Sequence, residues 1–92
     1  MSTIEKKIQS KYFDLIEKGE KTFELRLADW NCESGDTLVL IELDQTSGEP
    51  TGRKLIKKVG YVLKTKDVDF WTEDQVDTHG YQIISLLNEG QA

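Results

Sequence analysis

The chain lacks most of the devices that staple or anchor a small protein. It has one cysteine, Cys32, in 92 residues, so no disulfide can form within it and a disulfide-stapled secreted domain is excluded. With His79 as the sole histidine, the usual ligand sets of a structural zinc site are missing, and no metal is expected. No apolar run approaches the roughly 20 residues that cross a bilayer. The opening run Met1-Ser2-Thr3-Ile4-Glu5-Lys6-Lys7 has no apolar centre of the kind a secretory signal carries. The expected compartment is the cytoplasm, with no membrane partner. No motif points to an organic cofactor, and no internal repeat or low-complexity stretch is present.

What remains is one domain, residues 1–92, with 88–92 as a frayed tail. Apolar residues make up 37% of the chain, enough for a modest core and too many for a wholly disordered one. The net charge of −5 argues against indiscriminate binding to polyanions, but the charge is not evenly spread. Residues 27–52 carry six carboxylates and no Lys or Arg, and residues 67–92 repeat that pattern. Between them lie six cations with no carboxylate: Arg53, Lys54, Lys57, Lys58, Lys64 and Lys66. Such a basic strand on an acidic protein suits phosphate contact, through Arg53, Lys54, Lys57 and Lys58, or pairing with carboxylates on neighbouring strands.

The apolar pattern predicts an α+β fold. Residues 3–8 suit a first strand. Ser10 is placed to cap a helix, and Tyr12, Phe13, Leu15 and Ile16 then line one helical face, with Gly19 positioned to end it. Thr22-Phe23-Glu24-Leu25-Arg26-Leu27 alternates without a break, the mark of a half-buried strand. That alternation predicts Phe23, Leu25 and Leu27 in the core, with Thr22, Glu24 and Arg26 on the other face. Gly35-Asp36 closes a loop before a buried strand over 37–43. Residues 44–52, with Ser47-Gly48 and Pro50, predict a hairpin into a long strand over 53–63, and Gly60 marks a bulge or bend there. A short helix is expected within 73–76 and a last strand over 81–87. Turns rather than helices join most strands, so the expected architecture is a small mixed barrel of about five strands covered by one helix.

The run Gly19-Glu20-Lys21-Thr22-Phe23-Glu24-Leu25-Arg26 resembles the Gly-x-Lys-x-x-Glu-x-Arg signature of the ASCH family. Lys7-Ile8 and Tyr12-Phe13 before it resemble a subgroup of that family without an assigned function, as do Gly35-Asp36-Thr37-Leu38, Thr51-Gly52-Arg53, residues 59–63 and Gly80-Tyr81-Gln82-Ile83-Ile84-Ser85-Leu86 after it. The resemblance implies a PUA-like β-barrel with a cleft between barrel and helix, and binding of RNA or nucleotides. Some bacterial ASCH proteins remove the acetyl group from N4-acetylcytidine, using a lysine and a threonine of the signature strand and a later glutamate. Lys21 matches that lysine. Glu24 stands where the threonine would be, and Thr22 lies about 7 Å from it along the strand. Many relatives in the subgroup open with His-Glu-Leu-Lys-Ile; here Ile4-Glu5-Lys6-Lys7-Ile8 has no histidine.

Physical chemistry gives each of these residues two readings. Glu24 and Arg26 share a strand face, where they either pair with each other or clamp a nucleobase edge, the guanidinium donating and the carboxylate accepting. Lys21 suits a phosphate, a catalytic base, or a solvated position at a helix end. Trp30 and Trp71 either stack a base or close the barrel core. Cys32 reads as inert and His79 as structural, while Glu73, Asp74 and Asp77 cap a helix or lend one carboxylate to the cleft. Three functions follow. The first is a module for RNA or a modified nucleoside, with Lys21, Thr22, Glu24, Arg26 and Trp30 as ligand contacts. The second is an amidohydrolase for an acylated nucleoside, with Lys21 and Glu24 catalytic. The third is a protein-interaction domain without pocket chemistry.

Overall fold

A computed structural model describes residues 1–68 and 80–89. In chain order these form β1 (Thr3–Gln9), α1 (Ser10–Glu17), β2 (Phe23–Leu27), β3 (Thr37–Leu43), β4 (Pro50–Lys64), a 3-10 turn at Thr65–Asp67, and β5 (Tyr81–Asn88). The strands make one sheet in the order β1-β3-β4-β5-β2. β1 runs parallel to β3, and every other neighbouring pair is antiparallel. The sheet curls into a half-barrel around α1. Its two edge strands approach each other closely enough for Arg26 of β2 to donate from Nη2 to the Lys7 carbonyl of β1 at 2.9 Å. The helix expected within 73–76, and with it Trp71 and His79, lies outside the described residues.

The local signals explain most of the elements. Gly19 follows α1 with φ +80 and donates its N–H to the Ile16 carbonyl, a left-handed helix stop that needs glycine. The β3–β4 hairpin is built on Asp44, whose Oδ1 accepts from the N–H groups of Thr46 and Ser47. Pairing there begins at Leu43 and Pro50, so β4 starts three residues before the expected Arg53. A first strand position tolerates proline, which has no N–H to offer the ladder. The bulge expected at Gly60 is present: the β4–β5 register slips between Val59 and Val62. Tyr61 N–H donates to Ser85 Oγ at 2.7 Å, and a Cβ on Gly60 would lie 2.5 Å from that oxygen. Close approach, rather than φ, requires glycine there.

The core lies inside the curl: Ile8, Phe13, Ile16, Cys32, Leu38, Leu40, Val59 and Ile84. Phe13 and Ile16 are the buried residues of α1, whereas Tyr12 on the same helix is exposed. Ser10 does not cap the helix. It is the first helical residue, and its hydroxyl donates to Glu42 Oε2 and to the Leu43 carbonyl, tying α1 to the end of β3.

The largest correction concerns β2. Phe23, Leu25 and Leu27 are 46%, 56% and 47% exposed, while Glu24 is only 4% exposed. The strand presents its polar set to the concave side and its apolar set to the convex side, beside Tyr81 and Ile83 of β5. Period two separates two faces without saying which is inside. Here Glu24 stands opposite the fully buried Ile84, so the inner side is the charged one. Its burial is tolerable because both carboxylate oxygens meet cations.

Two buried carboxylates hold the ends of the curl and predict its acid limit. Asp36 accepts from the backbone N–H groups of Ser2 and Glu33, in that order the main causes of its lowered pKa. Glu42 is lowered chiefly by the Thr51 hydroxyl, then by Ser10 and Arg53. Both groups bind protons less readily folded than unfolded, where their ordinary values are 3.8 and 4.5. Their contribution is therefore complete above the unfolded values and is lost as pH falls through the lower folded ones. Melting temperature is expected to stay level from neutral pH to about pH 5 and to fall below about pH 4. Asp36→Asn is expected to lower it more at neutral pH than in acid, measured by circular dichroism. Equal losses at both would remove Asp36 from this role.

Candidate functional site

The two unpaired strand edges, β1 and β2, leave a cleft of about 480 Å³ between them. Its walls come from Lys7, Ile8 and Gln9 on β1, Tyr12 on α1, and Lys21 and 23–26 on and before β2. Parallel pairing of β1 with β3 and antiparallel pairing of β2 with β5 use up the other sides of these strands. The cleft is thus where a barrel of this strand order fails to close.

Glu24 is the centre of it. Lys21 Nζ donates to Glu24 Oε1 at 2.9 Å, and Arg26 Nε donates to Oε2 at 2.8 Å. Lys21 also donates to the Phe23 carbonyl at 2.6 Å. The helix-ending turn positions it, because Glu20 and Lys21 both send their N–H to the Leu15 carbonyl. With Nε on Glu24 and Nη2 on Lys7, Arg26 keeps Nη1 unengaged among the described residues. Each oxygen of Glu24 already accepts one bond, so the polar capacity facing the cleft is dominated by donors on Lys21 and Arg26.

Two aromatic rings stand close to Lys21. Tyr12 and Phe23 are 39% and 46% exposed, and Lys21 Nζ lies 5.8 and 4.6 Å from their ring centroids. Sequence periodicity assigned both rings to the core. No local signal distinguishes them, since their exposure depends on which way β2 faces and on where α1 crosses its edge.

The other expected site residues separate. Thr22 and Lys57 do not line the cleft; they share a smaller recess of about 280 Å³ with Gly19, Lys21, Leu86 and Asn88. Lys57 donates there to Asn88 Oδ1. Arg53 is engaged elsewhere. It meets Glu17 at 2.9 Å, and Asp14 and Glu42 at 3.5 Å, and lies 4.7 Å from the Phe13 ring, clamping β4 to α1. Lys54 and Lys58 line neither recess. Trp30 packs against the core with Lys6 Nζ 4.3 Å from its ring, and is not a wall of the cleft.

Cys32 is buried, and burial first, then the nearby Asp36 charge, pushes its thiol up to about 11. At neutral pH it stays a protonated thiol rather than a nucleophile. Among the described residues no three His, Cys, Asp or Glu side chains gather as a metal site requires. Glu73, Asp74 and Asp77 lie outside the described residues.

Residues 3–85 match the family described as "Domain of unknown function (DUF3850)". The chain belongs to the DUF3850 family. The match contains β1, the whole cleft and most of β5. A relative from Escherichia phage P2, the "Uncharacterized 12.9 kDa protein in GpA 3'region", is 44% identical over 75 residues. That stretch is 82% of this DUF3850 chain and 64% of the phage protein, so the chain spans less than two thirds of that relative. The crystal structure of hypothetical protein PH0355 is similar with a TM-score of 0.57 at 20% identity, covering 94% of this chain and 97% of that one. At that identity the likeness concerns the fold. No helix among the described residues is long and apolar enough to cross a membrane.

Proposed function

We propose that this domain binds a nucleoside, free or within single-stranded RNA, in the cleft between β1 and β2. One observation carries this reading: a buried Glu24 holds Lys21 and Arg26 in place in a cleft walled by two half-exposed rings, Tyr12 and Phe23, both close to Lys21. Rings offer stacking surface to any base, and fixed donors suit base carbonyls or phosphate oxygens. The resemblance of residues 19–26 to the ASCH signature, and of the chain to PUA-like barrels, supports the same class of ligand. The stacking role passes from Trp30 to Tyr12 and Phe23, the rings that line the cleft.

Hydrolysis of an acylated nucleoside is the second reading, favoured by the 2.9 Å approach of Lys21 to Glu24. It requires Lys21 to leave both the Phe23 carbonyl and Glu24 before attacking or taking a proton.

Titration of isotope-labelled protein with nucleosides, N4-acetylcytidine and short RNAs, followed by NMR, tests both. Saturable shifts are expected at Tyr12 and residues 21–26, with Tyr12→Ala weakening binding about tenfold, in line with stacking worth about 1–3 kcal/mol. Free cytidine appearing from N4-acetylcytidine would establish the hydrolase. No saturable shift at low salt, or binding indifferent to Tyr12→Ala and Arg26→Ala, would sink the cleft as a ligand site.

A further inference from the structure

Beside the cleft lies the smaller recess of about 280 Å³, and its composition is unlike the rest of this acidic chain. Lys21, Thr22, Lys57 and Asn88 are its polar walls, and Ile16 and Leu86 its apolar ones. Among the described residues no carboxylate lines it, although the chain carries 17 acidic residues and a net charge of −5. Glu20 and Glu89, adjacent in sequence to its walls, are not part of it. The end of α1 adds little negative potential, because the carbonyls of Asp14, Leu15 and Ile16 already accept from the N–H groups of residues 18–21. Lys21 is a wall of both hollows, and of the next two residues Thr22 lines the recess and Phe23 the cleft. The two hollows therefore adjoin across the start of β2.

We propose that this recess is the phosphate subsite of the cleft, so that the ligand is a nucleoside monophosphate rather than a bare nucleoside. This inference rests on the nucleoside-binding reading and specifies its ligand class. It follows from counting charges and donors. Lys21 and Arg26 share the single carboxylate of Glu24, which leaves one positive charge over. Lys57 meets no carboxylate within ion-pair distance among the described residues and adds a second. A phosphate monoester carries about −1.5 to −2 at neutral pH, which matches that surplus. An ammonium group has three donors. Lys21 uses two of them, on Glu24 and the Phe23 carbonyl, and Lys57 uses one, on Asn88 Oδ1. Three N–H donors thus remain between the two lysines among the described residues, beside the Thr22 hydroxyl, to meet the phosphoryl oxygens. Asn88 holds Lys57 through a neutral oxygen, so its charge is kept for a ligand. The other cations of the basic strand differ: Arg53 is occupied by three carboxylates, and Lys54 and Lys58 line neither hollow. A base stacked on Tyr12 or Phe23 would thus send its sugar past Lys21 and its phosphate into the recess.

Calorimetric titration of the full chain with the four common ribonucleosides and their 5′- and 3′-monophosphates tests this, using wild type, Lys57→Met, Lys57→Arg and Tyr12→Ala. A monophosphate is expected to bind wild type about tenfold more tightly than its nucleoside, and the 5′ and 3′ arms show which sugar position the recess serves. Lys57→Met is expected to cut that advantage to about twofold and to leave nucleoside affinity unchanged, while Lys57→Arg keeps most of it. Tyr12→Ala should weaken nucleoside and monophosphate alike. Equal binding of nucleosides and monophosphates by wild type, with Tyr12→Ala still weakening both, would overturn the phosphate subsite and leave the cleft reading standing. A phosphate advantage undiminished in Lys57→Met would place the phosphate outside the recess and overturn the inference as well. No binding of any nucleoside or monophosphate by wild type would overturn both readings. NMR on wild type alone provides a check that needs no variant: the monophosphate, and not its nucleoside, is expected to shift the amides of Thr22, Lys57 and Asn88, and identical shifts with both ligands would count against the subsite.

Discussion

Glu24→Ala is expected to lower the melting temperature by about 10–20 °C and to abolish the ligand binding proposed for the cleft. The carboxylate is 4% exposed and meets two cations at 2.8 and 2.9 Å. Removing one partner of a fully buried ion set costs about 3–5 kcal/mol, since the remaining charge is left desolvated and unpaired. Lys21 and Arg26 keep 16% and 24% of their side-chain exposure, so water recovers part of that and about 2–3 kcal/mol remains. In a domain of 60–100 residues each kcal/mol moves the midpoint by about 4–8 °C. The triple variant Lys21→Met, Glu24→Leu, Arg26→Met is expected to recover most of the stability, because replacing a whole buried ion set with apolar side chains is often neutral. It should not recover binding. Thermal melts followed by circular dichroism separate the outcomes: a Glu24→Ala midpoint within about 2 °C of wild type would mean that the trio is solvated and does not organise the cleft.

Phe13→Ala is expected to be the most destabilising single core truncation in α1. The ring is 1% exposed and sits in the core cluster with Ile8, Ile16, Leu38, Leu40 and Ile84. Truncating a buried phenylalanine to alanine costs about 3–5 kcal/mol, through lost transfer energy and the cavity left behind. The change also removes the surface under the Arg53 guanidinium, 4.7 Å from the ring centroid. Domains have about 5–15 kcal/mol in total, and one this small lies toward the lower end. Urea denaturation is expected to show the midpoint reduced by about half or more with the slope unchanged. Since Phe13 and Tyr12 are neighbours on α1, loosening this anchor should also weaken the nucleoside binding proposed for the cleft. A midpoint close to that of wild type would mean that α1 is not fastened through Phe13, and the positioning of Tyr12 would need another cause.

Much of the architecture was legible residue by residue. A short apolar run after the Gly35-Asp36 turn located β3 at residues 37–43, as found. Gly19 was readable as a helix stop and Gly60 as a bulge, because glycine marks places where a side chain has no room or the backbone turns left-handed. The bond from Ser10 to Glu42 could not be read, because the acceptor is 32 residues away. The same holds for Arg53, whose three carboxylate partners come from α1 and β3.

The candidate site divides along the same line. By itself the sequence determined that Glu24 and Arg26 share one face of a strand, with Lys21 close before them in the chain, since period two is a local property of extended backbone. Only the tertiary structure decided that this face is the inner one, that β1 and β2 stand unpaired across a cleft, and that Tyr12 and Phe23 rim it. Those are questions of which side of a curled sheet is concave and which strands become neighbours. They are settled by pairings between segments far apart in the chain, where a one-residue change of register would have turned every side chain of β2 the other way.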